Sequence, residues 1–214
     1  MMETIIEPLR SLDWQDTDAV EGTAVKALTL LTSDRRTLRD ILLDLPERPD
    51  LLGLCEHYDI LDKIVLHDDP SGVRVRLHIF LPGYFDRPHN HRWSYASTIL
   101  WGQYRHYLFG DAELDESINP ANLKALMVRD EQTGSTYALH HTMVHAVVAE
   151  PYTVSLVIRG PAVKDRFLVM DRKTGQSWWQ YGAGQEPASD AEQKRMSPGR
   201  LTELTDRLRE WDLL

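Results

Sequence analysis

The chain is poor in cysteine, in long apolar runs and in clustered positive charge, and each shortage removes a class of protein. One cysteine, Cys55, among 214 residues leaves no internal disulfide to form. That fits a reducing compartment and makes the cytoplasm the expected location. No apolar run approaches the ~20 residues of a membrane-spanning helix, and the first residues show no basic segment followed by an apolar one. A membrane role is therefore not expected. Lysine and arginine number 24 against 33 acidic residues, for a formal net charge of −9. No basic cluster stands clear of neighbouring acids, so nucleic acid, whose phosphates need a basic surface, is not an expected partner. Internal repeats and low-complexity segments are absent as well.

What is present is enough apolar side chain, 42% of the residues, to bury one substantial core, and a single structural domain with added helices is expected. Residues 1–57 read as a helical segment packed on a barrel formed by residues 58–181. Ala19 to Leu31 is rich in helix formers, and Ser33-Asp34 provides a cap for a helix through Leu38, Ile41, Leu42 and Leu45, stopped by Pro46. Residues 58–181 are strand-rich. Turn signals fall at Asp68-Asp69-Pro70-Ser71-Gly72, Gly110-Asp111, Asn119-Pro120 and Asp171 to Gly175, the spacing of a β-barrel. Residues 182–214 give a polar loop to Met196, then a helix opened by Ser197-Pro198 and carrying Leu201, Leu204, Leu208 and Trp211 on one face.

The chemistry concentrates in Gly83-Tyr84-Phe85-Asp86-Arg87-Pro88-His89-Asn90-His91. On a strand, residues i and i+2 point the same way about 6–7 Å apart, so His89 and His91 can reach one ion. The glycine turn is expected to set the start of a strand that carries the pair onward through Ser94 to Gly102. Imidazole sites take three or four protein donors, and His145, in the apolar strand Thr142 to Val148, is the third. His141 shares that face if the strand is unbroken and is a rival. Asp86 and Glu150 lie near the ligands in sequence, either as additional ligands or as loop acids facing solvent. His78 is a lone strand histidine, and His57, His67 and His106 read as structural. Trp178, Trp179 and Tyr181 suit barrel packing or a contact in a homodimer, although aromatic walls also line ligand pockets.

Gly83, His89-Asn90-His91, Gly102 and, some forty residues on, His145 resemble the two-motif signature of the cupin superfamily. Within it the chain is similar to the cysteine dioxygenase type, the mononuclear iron thiol dioxygenases, over roughly Tyr58 to Pro161. The resemblance implies a double-stranded β-helix, or jelly-roll, mainly β. Most cupins carry a glutamate shortly after the second histidine, where this chain has Tyr95 and Ala96; its loss implies a neutral three-histidine site. The Ser-His-Tyr relay of thiol dioxygenases falls on Ser155, Val157 and Arg159, of which only the serine matches. Their carboxylate-binding arginine corresponds to Lys63. The metal site thus looks retained and the substrate shell rebuilt, so cysteine is not the expected substrate.

Three neutral histidines leave the charge of an ion uncompensated, which favours an anionic donor from substrate and, on Fe(II), dioxygen as second partner. Fe(II) is the expected ion; zinc, nickel, manganese and copper also suit these donors. Tyr95 and Arg159 are the side chains expected to orient substrate or oxygen, since arginine grips a carboxylate with two parallel hydrogen bonds. The expected function is a non-haem iron oxygenase acting on a small acid or thiol. A metal-dependent lyase or isomerase with Tyr95 as base, and a non-catalytic ligand-binding cupin, are the alternatives.

Overall fold

The computed structural model describes residues 2–111, 114–182 and 185–214; residues 183 and 184 of the expected polar loop lie outside them. Four helices open the chain: α1 (Met2–Arg10), α2 (Thr17–Ser33), α3 (Arg35–Asp44) and the single turn α4 (Pro49–Leu52). The side chain of Asp16 accepts hydrogen bonds from the amides of Asp18 and Ala19 to start α2, and Asp34 accepts from Thr37 to start α3; both satisfy amides that a helix leaves unpaired. On α2 the buried residues Val20, Ala24, Ala27, Leu28 and Leu31 form one stripe, as a 3.6-residue period requires.

Eleven strands come after the helices: β1 (Glu56–His57), β2 (Leu61–Asp68), β3 (Arg74–Phe80), β4 (Tyr95–Trp101), β5 (Gln103–Asp111), β6 (Met127–Gln132), β7 (Thr136–Leu139), β8 (Met143–Ala149), β9 (Val154–Arg159), β10 (Arg166–Met170) and β11 (Ser177–Tyr181). They form a six-stranded sheet in the order β1-β2-β3-β9-β4-β7, a three-stranded sheet β6-β5-β8, and the pair β10-β11, with every pairing antiparallel. The architecture is mainly β: antiparallel sheets arranged around an interior cavity, with helices added. Among the described residues no helix is long and apolar enough to cross a membrane.

The six-stranded sheet is buried on both faces, and the two faces differ in kind. Val75, Leu77 and Ile79 of β3 join Val154, Leu156 and Ile158 of β9 in one apolar core with Ile6, Leu9, Leu28, Leu31 and Leu42 of the helices. The alternate residues Arg76, His78 and Phe80, with Ser155, Val157 and Arg159, line a cavity inside the barrel. The helices thus cover the greasy face of a sheet whose other face is free to carry polar groups. The last helix, α6 (Pro198–Glu210), adds Leu201, Leu204 and Leu208 to this core. It is capped by the Ser197 side chain and tied down by Arg200, whose Nη2 lies 2.7 Å from Oδ2 of fully buried Asp62. Cys55 is buried in the same core, its thiol accepting from the Val65 amide at 3.2 Å; burial raises its pKa to about 11, which makes it a packed thiol and not a reactive one.

Three expectations change. His89 and His91 do not lie on a regular strand: the ladder starts only at Tyr95, because Pro82 and Pro88 remove two main-chain donors from the preceding segment. Gly83 is needed there all the same, since its φ is +151° and an added Cβ would run into the Phe85 ring. The polar stretch after Gly182 contains a helix, α5 (Ala188–Lys194); with no buried residue it has no apolar stripe, so periodicity is silent about it. Gly110-Asp111 is not a turn but the end of β5, where the register against β8 shifts at Gly110 (φ +93°), a bulge that glycine accommodates.

Candidate metal centre

His89 reaches β8 through a local bridge: its amide donates to the His145 carbonyl and the His145 amide donates back, both at 2.9 Å. This exchange fixes the two motifs face to face across more than fifty residues of chain. One ring nitrogen from each of His89, His91 and His145 lies within 4.8 Å of the other two, an arrangement able to hold a metal ion. Nε2 of His91 sits 2.8 Å from Nε2 of His145. His89 donates from Nδ1 to the Arg87 carbonyl at 2.8 Å, which leaves its Nε2 as the lone-pair nitrogen.

Burial is the main cause of the electrostatics here. It lowers the pKa of His89 to about 4 and takes those of His91 and His145 well below 6.5, with the neighbouring imidazoles adding to the effect. All three are therefore neutral at pH 7, which is the form that ligates. The donor set fits a transition ion: three neutral nitrogens converge, and two point at each other at a separation that needs a proton or a cation between them.

Behind His145 lies a support that the sequence pattern credits with only a structural role. Nε2 of His106 is 2.8 Å from Nδ1 of His145, and Nδ1 of His106 is 3.5 Å from Glu131 Oε1. With His145 ligating through Nε2, its Nδ1–H donates to His106, whose own Nδ1–H faces Glu131. Such outer partners set the tautomer and ring orientation of a ligand. Glu131 is buried and also meets Arg129 at 3.1 Å, so the chain of contacts ends on a charge-compensated carboxylate. Nothing local in the sequence marks His106; it is the pairing of Leu108 with His145 across β5 and β8 that brings it close.

The rivals are elsewhere. His141 turns to Gln15, with Nε2 2.9 Å from Oε1, so His145 and not His141 completes the cluster. Glu150 is exposed and accepts from Gln103, and Asp86 pairs with Arg172 at 3.3 Å; neither belongs to the cluster among the described residues.

The histidines open onto a cavity of about 580 Å³. The Tyr95 hydroxyl is 3.4 Å from His145 Nε2, and burial raises its pKa well above 10; a phenol held protonated enters as a donor. Ser155 is buried on the cavity wall opposite His78. Lys63 also lines the cavity, 3.4 Å from Glu56, its pKa lowered to about 8 by burial. Arg159 lies at the wall with Nη1 committed to the carbonyls of Gly72 and Gly160, each at 2.7 Å. Trp178, Trp179 and Tyr181 form part of the same wall. Arg76 and Trp93 also line the cavity; the alternation of β3 puts Arg76 on the side opposite Val75, Leu77 and Ile79, and the helices packed on that apolar side leave it facing the cavity.

The chain matches no protein-family profile and no curated protein sequence. Among solved structures it is similar to KdgF from a Halomonas species, at 17% identity over 49% of this chain and 82% of that one with a TM-score of 0.38. It is also similar to an RmlC-like cupin from Shewanella frigidimarina, at 14% identity over 51% and 85% with a TM-score of 0.38. A third is Fe(II) HppE, at 15% identity over 47% and 51% with a TM-score of 0.37.

Proposed function

We propose that this chain is a mononuclear non-haem iron oxygenase of the thiol dioxygenase kind, acting on a small acid or thiol other than cysteine. The observation that carries the reading is the convergence of His89, His91 and His145 at the wall of an interior cavity with no carboxylate among them. Fe(II) held by the three nitrogens would supply a Lewis-acidic, redox-active centre for a substrate anion and dioxygen.

The chain's own groups would do the rest. Phe80, Val147, Val157, Phe167 and Val169 line the cavity and would give a bound substrate an apolar surround. Tyr95 would donate a hydrogen bond to a reacting atom beside His145, and its protonated phenol argues against a lyase or isomerase that needs it as base. Arg159 has one nitrogen tied to carbonyls and the remainder of its guanidinium to offer a substrate. The substitution of Val157 and Arg159 at the relay positions supports a substrate other than cysteine.

Anaerobic loading with Fe(II), followed by oxygen uptake in the presence of short mercapto- and hydroxy-acids, tests the proposal. Uptake is expected with iron and not with zinc, and it should vanish in the His89→Ala, His91→Ala double variant together with bound iron. Full metal occupancy in that variant, or equal turnover with zinc under nitrogen, would overturn it.

A further inference from the structure

The cavity has a second polar feature, built on the inward face of β3. Arg76 is 6% exposed, and its Nε and Nη2 have no hydrogen-bond partner among the described residues; neither does Nε2 of His78, two residues on. Both side chains line the cavity. Buried donors without acceptors are rare in folded proteins because each forfeits its hydration, and a buried guanidinium without a counter-charge is costlier still. Arg76 rests on Trp93, its guanidinium carbon 4.6 Å from the ring centre, and Trp93 in turn stacks on His91 with ring centres 4.7 Å apart. One indole therefore connects the guanidinium to the candidate metal centre.

Charge around this spot is unbalanced. Lys63 and Arg159 line the same cavity, and in strand register Lys63 pairs with His78 while Ser155 lies across from it on the other side. Glu56 pairs with Lys63 and its charge also reaches Arg76 without a direct contact, while Asp68 pairs with Arg74 at 2.7 Å. Arg76 has no ion pair among the described residues. In a chain of net charge −9, a buried excess of positive charge inside the barrel is the opposite of what the overall composition leads one to expect.

We infer that Arg76, with His78 and the flanking charges of Lys63 and Arg159, forms a seat for an oxyanion, the carboxylate or phosphate of a small substrate whose other end lies at the three histidines. The inference deepens the oxygenase reading by naming the group that anchors the substrate, and rests on it only for the second half of that statement. A planar oxyanion would accept from Nε and Nη2 of Arg76 in parallel, and His78 would supply a further N–H. Arg76, not Arg159, then becomes the principal anchor, since Arg159 already spends one nitrogen on main-chain carbonyls.

Calorimetric titration of the metal-free protein at constant ionic strength tests this, with malonate and inorganic phosphate as probes and neutral malonamide as control. Saturable binding of at least one oxyanion is expected, with none of malonamide. Arg76→Gln should weaken it about ten- to hundredfold and Arg76→Lys by less, because an ammonium keeps the charge and loses the fork. A response to phosphate alone assigns a phosphate ester, and to malonate alone a carboxylic acid. Oxyanion affinity is read on metal-free protein and iron occupancy separately on the Fe(II)-loaded protein by elemental analysis, which separates failure of the metal reading from failure of this one. Should Arg76→Gln not fold, protection of Arg76 from phenylglyoxal by the same anions in the unmodified chain, read by peptide mass, replaces it. No saturable binding of either oxyanion, a folded Arg76→Gln with unchanged affinity, or modification of Arg76 at the same rate with and without anion would each overturn the inference.

Discussion

Acidification offers a sharp test of the inward-facing histidine cluster, because the effect has a sign, a window and a size. Burial lowers the pKa of His89 from 6.5 to about 4 and holds those of His91, His145 and His78 well below 6.5. The unfolded chain takes up a proton at each near pH 6.5 while the folded chain does not, so the unfolded state binds more protons and stability rises with pH. Metal-free protein should thus lose stability as pH falls from about 6.5, and the His89 share should be complete near pH 4. At about pH 5 the gap from the unfolded pKa is roughly 1.5 pH units at about 1.4 kcal/mol each, so His89 alone costs about 2 kcal/mol. The other three histidines act in the same direction. Carboxylates with lowered pKa, such as Asp69 beside Arg10, lose their contribution only below about pH 4, which leaves the window to the histidines. Urea unfolding of EDTA-treated protein at pH 7, 6 and 5 measures the slope, and the non-titrating variant His89→Gln should flatten it by about 2 kcal/mol over that range. Stability independent of pH between 7 and 5, or a slope unchanged in His89→Gln, would refute the placement of neutral imidazoles in a water-poor cluster.

Three further outcomes are expected. Glu131→Gln should weaken metal binding about 10- to 100-fold by removing the far end of the support for His145, measured by competition with a chromophoric chelator; unchanged affinity would make the Glu131–His106 contact incidental. Asp62→Ala should cost about 1–3 kcal/mol, since it removes the buried carboxylate that ties α6 to β2 through Arg200, which keeps only Glu203, and a chemical-denaturation midpoint equal to that of the unmodified protein would contradict this. L-cysteine should be turned over poorly by the iron-loaded protein relative to other short thiols or acids in an oxygen-electrode assay, and rapid formation of its sulfinate would show that Val157 and Arg159 still serve the thiol dioxygenase reaction.

Local patterns fix a large part of this molecule. The helices of the first 57 residues, the Asp34 and Ser197-Pro198 starts, the apolar alternation of β3 and β9 and the His89/His91/His145 set are all visible in the chain, because a helical stripe, a strand face and a cap depend on neighbours within a few residues. α5 is invisible for the same reason: with no buried face it is held by its ends and by ion pairs such as Lys194 to Glu186 at 2.8 Å. The motif also leads to His89 and His91 by a route that the structure alters. They share a side because His89 bridges β8, not because a regular strand begins at the glycine.

What only the tertiary structure decided is which polar groups meet. His106 acquires its place behind His145 from the register of β5 against β8, His141 loses its claim by turning to Gln15, and Arg76 becomes an inward cation only because helices occupy the opposite face of its sheet. Each of these is set by contacts between segments tens of residues apart, where the free energy of burial and of pairing donors with acceptors outweighs any local preference. Sequence spacing states which side of a strand a residue occupies; the packing of the other face determines whether that side is solvent, core or cavity.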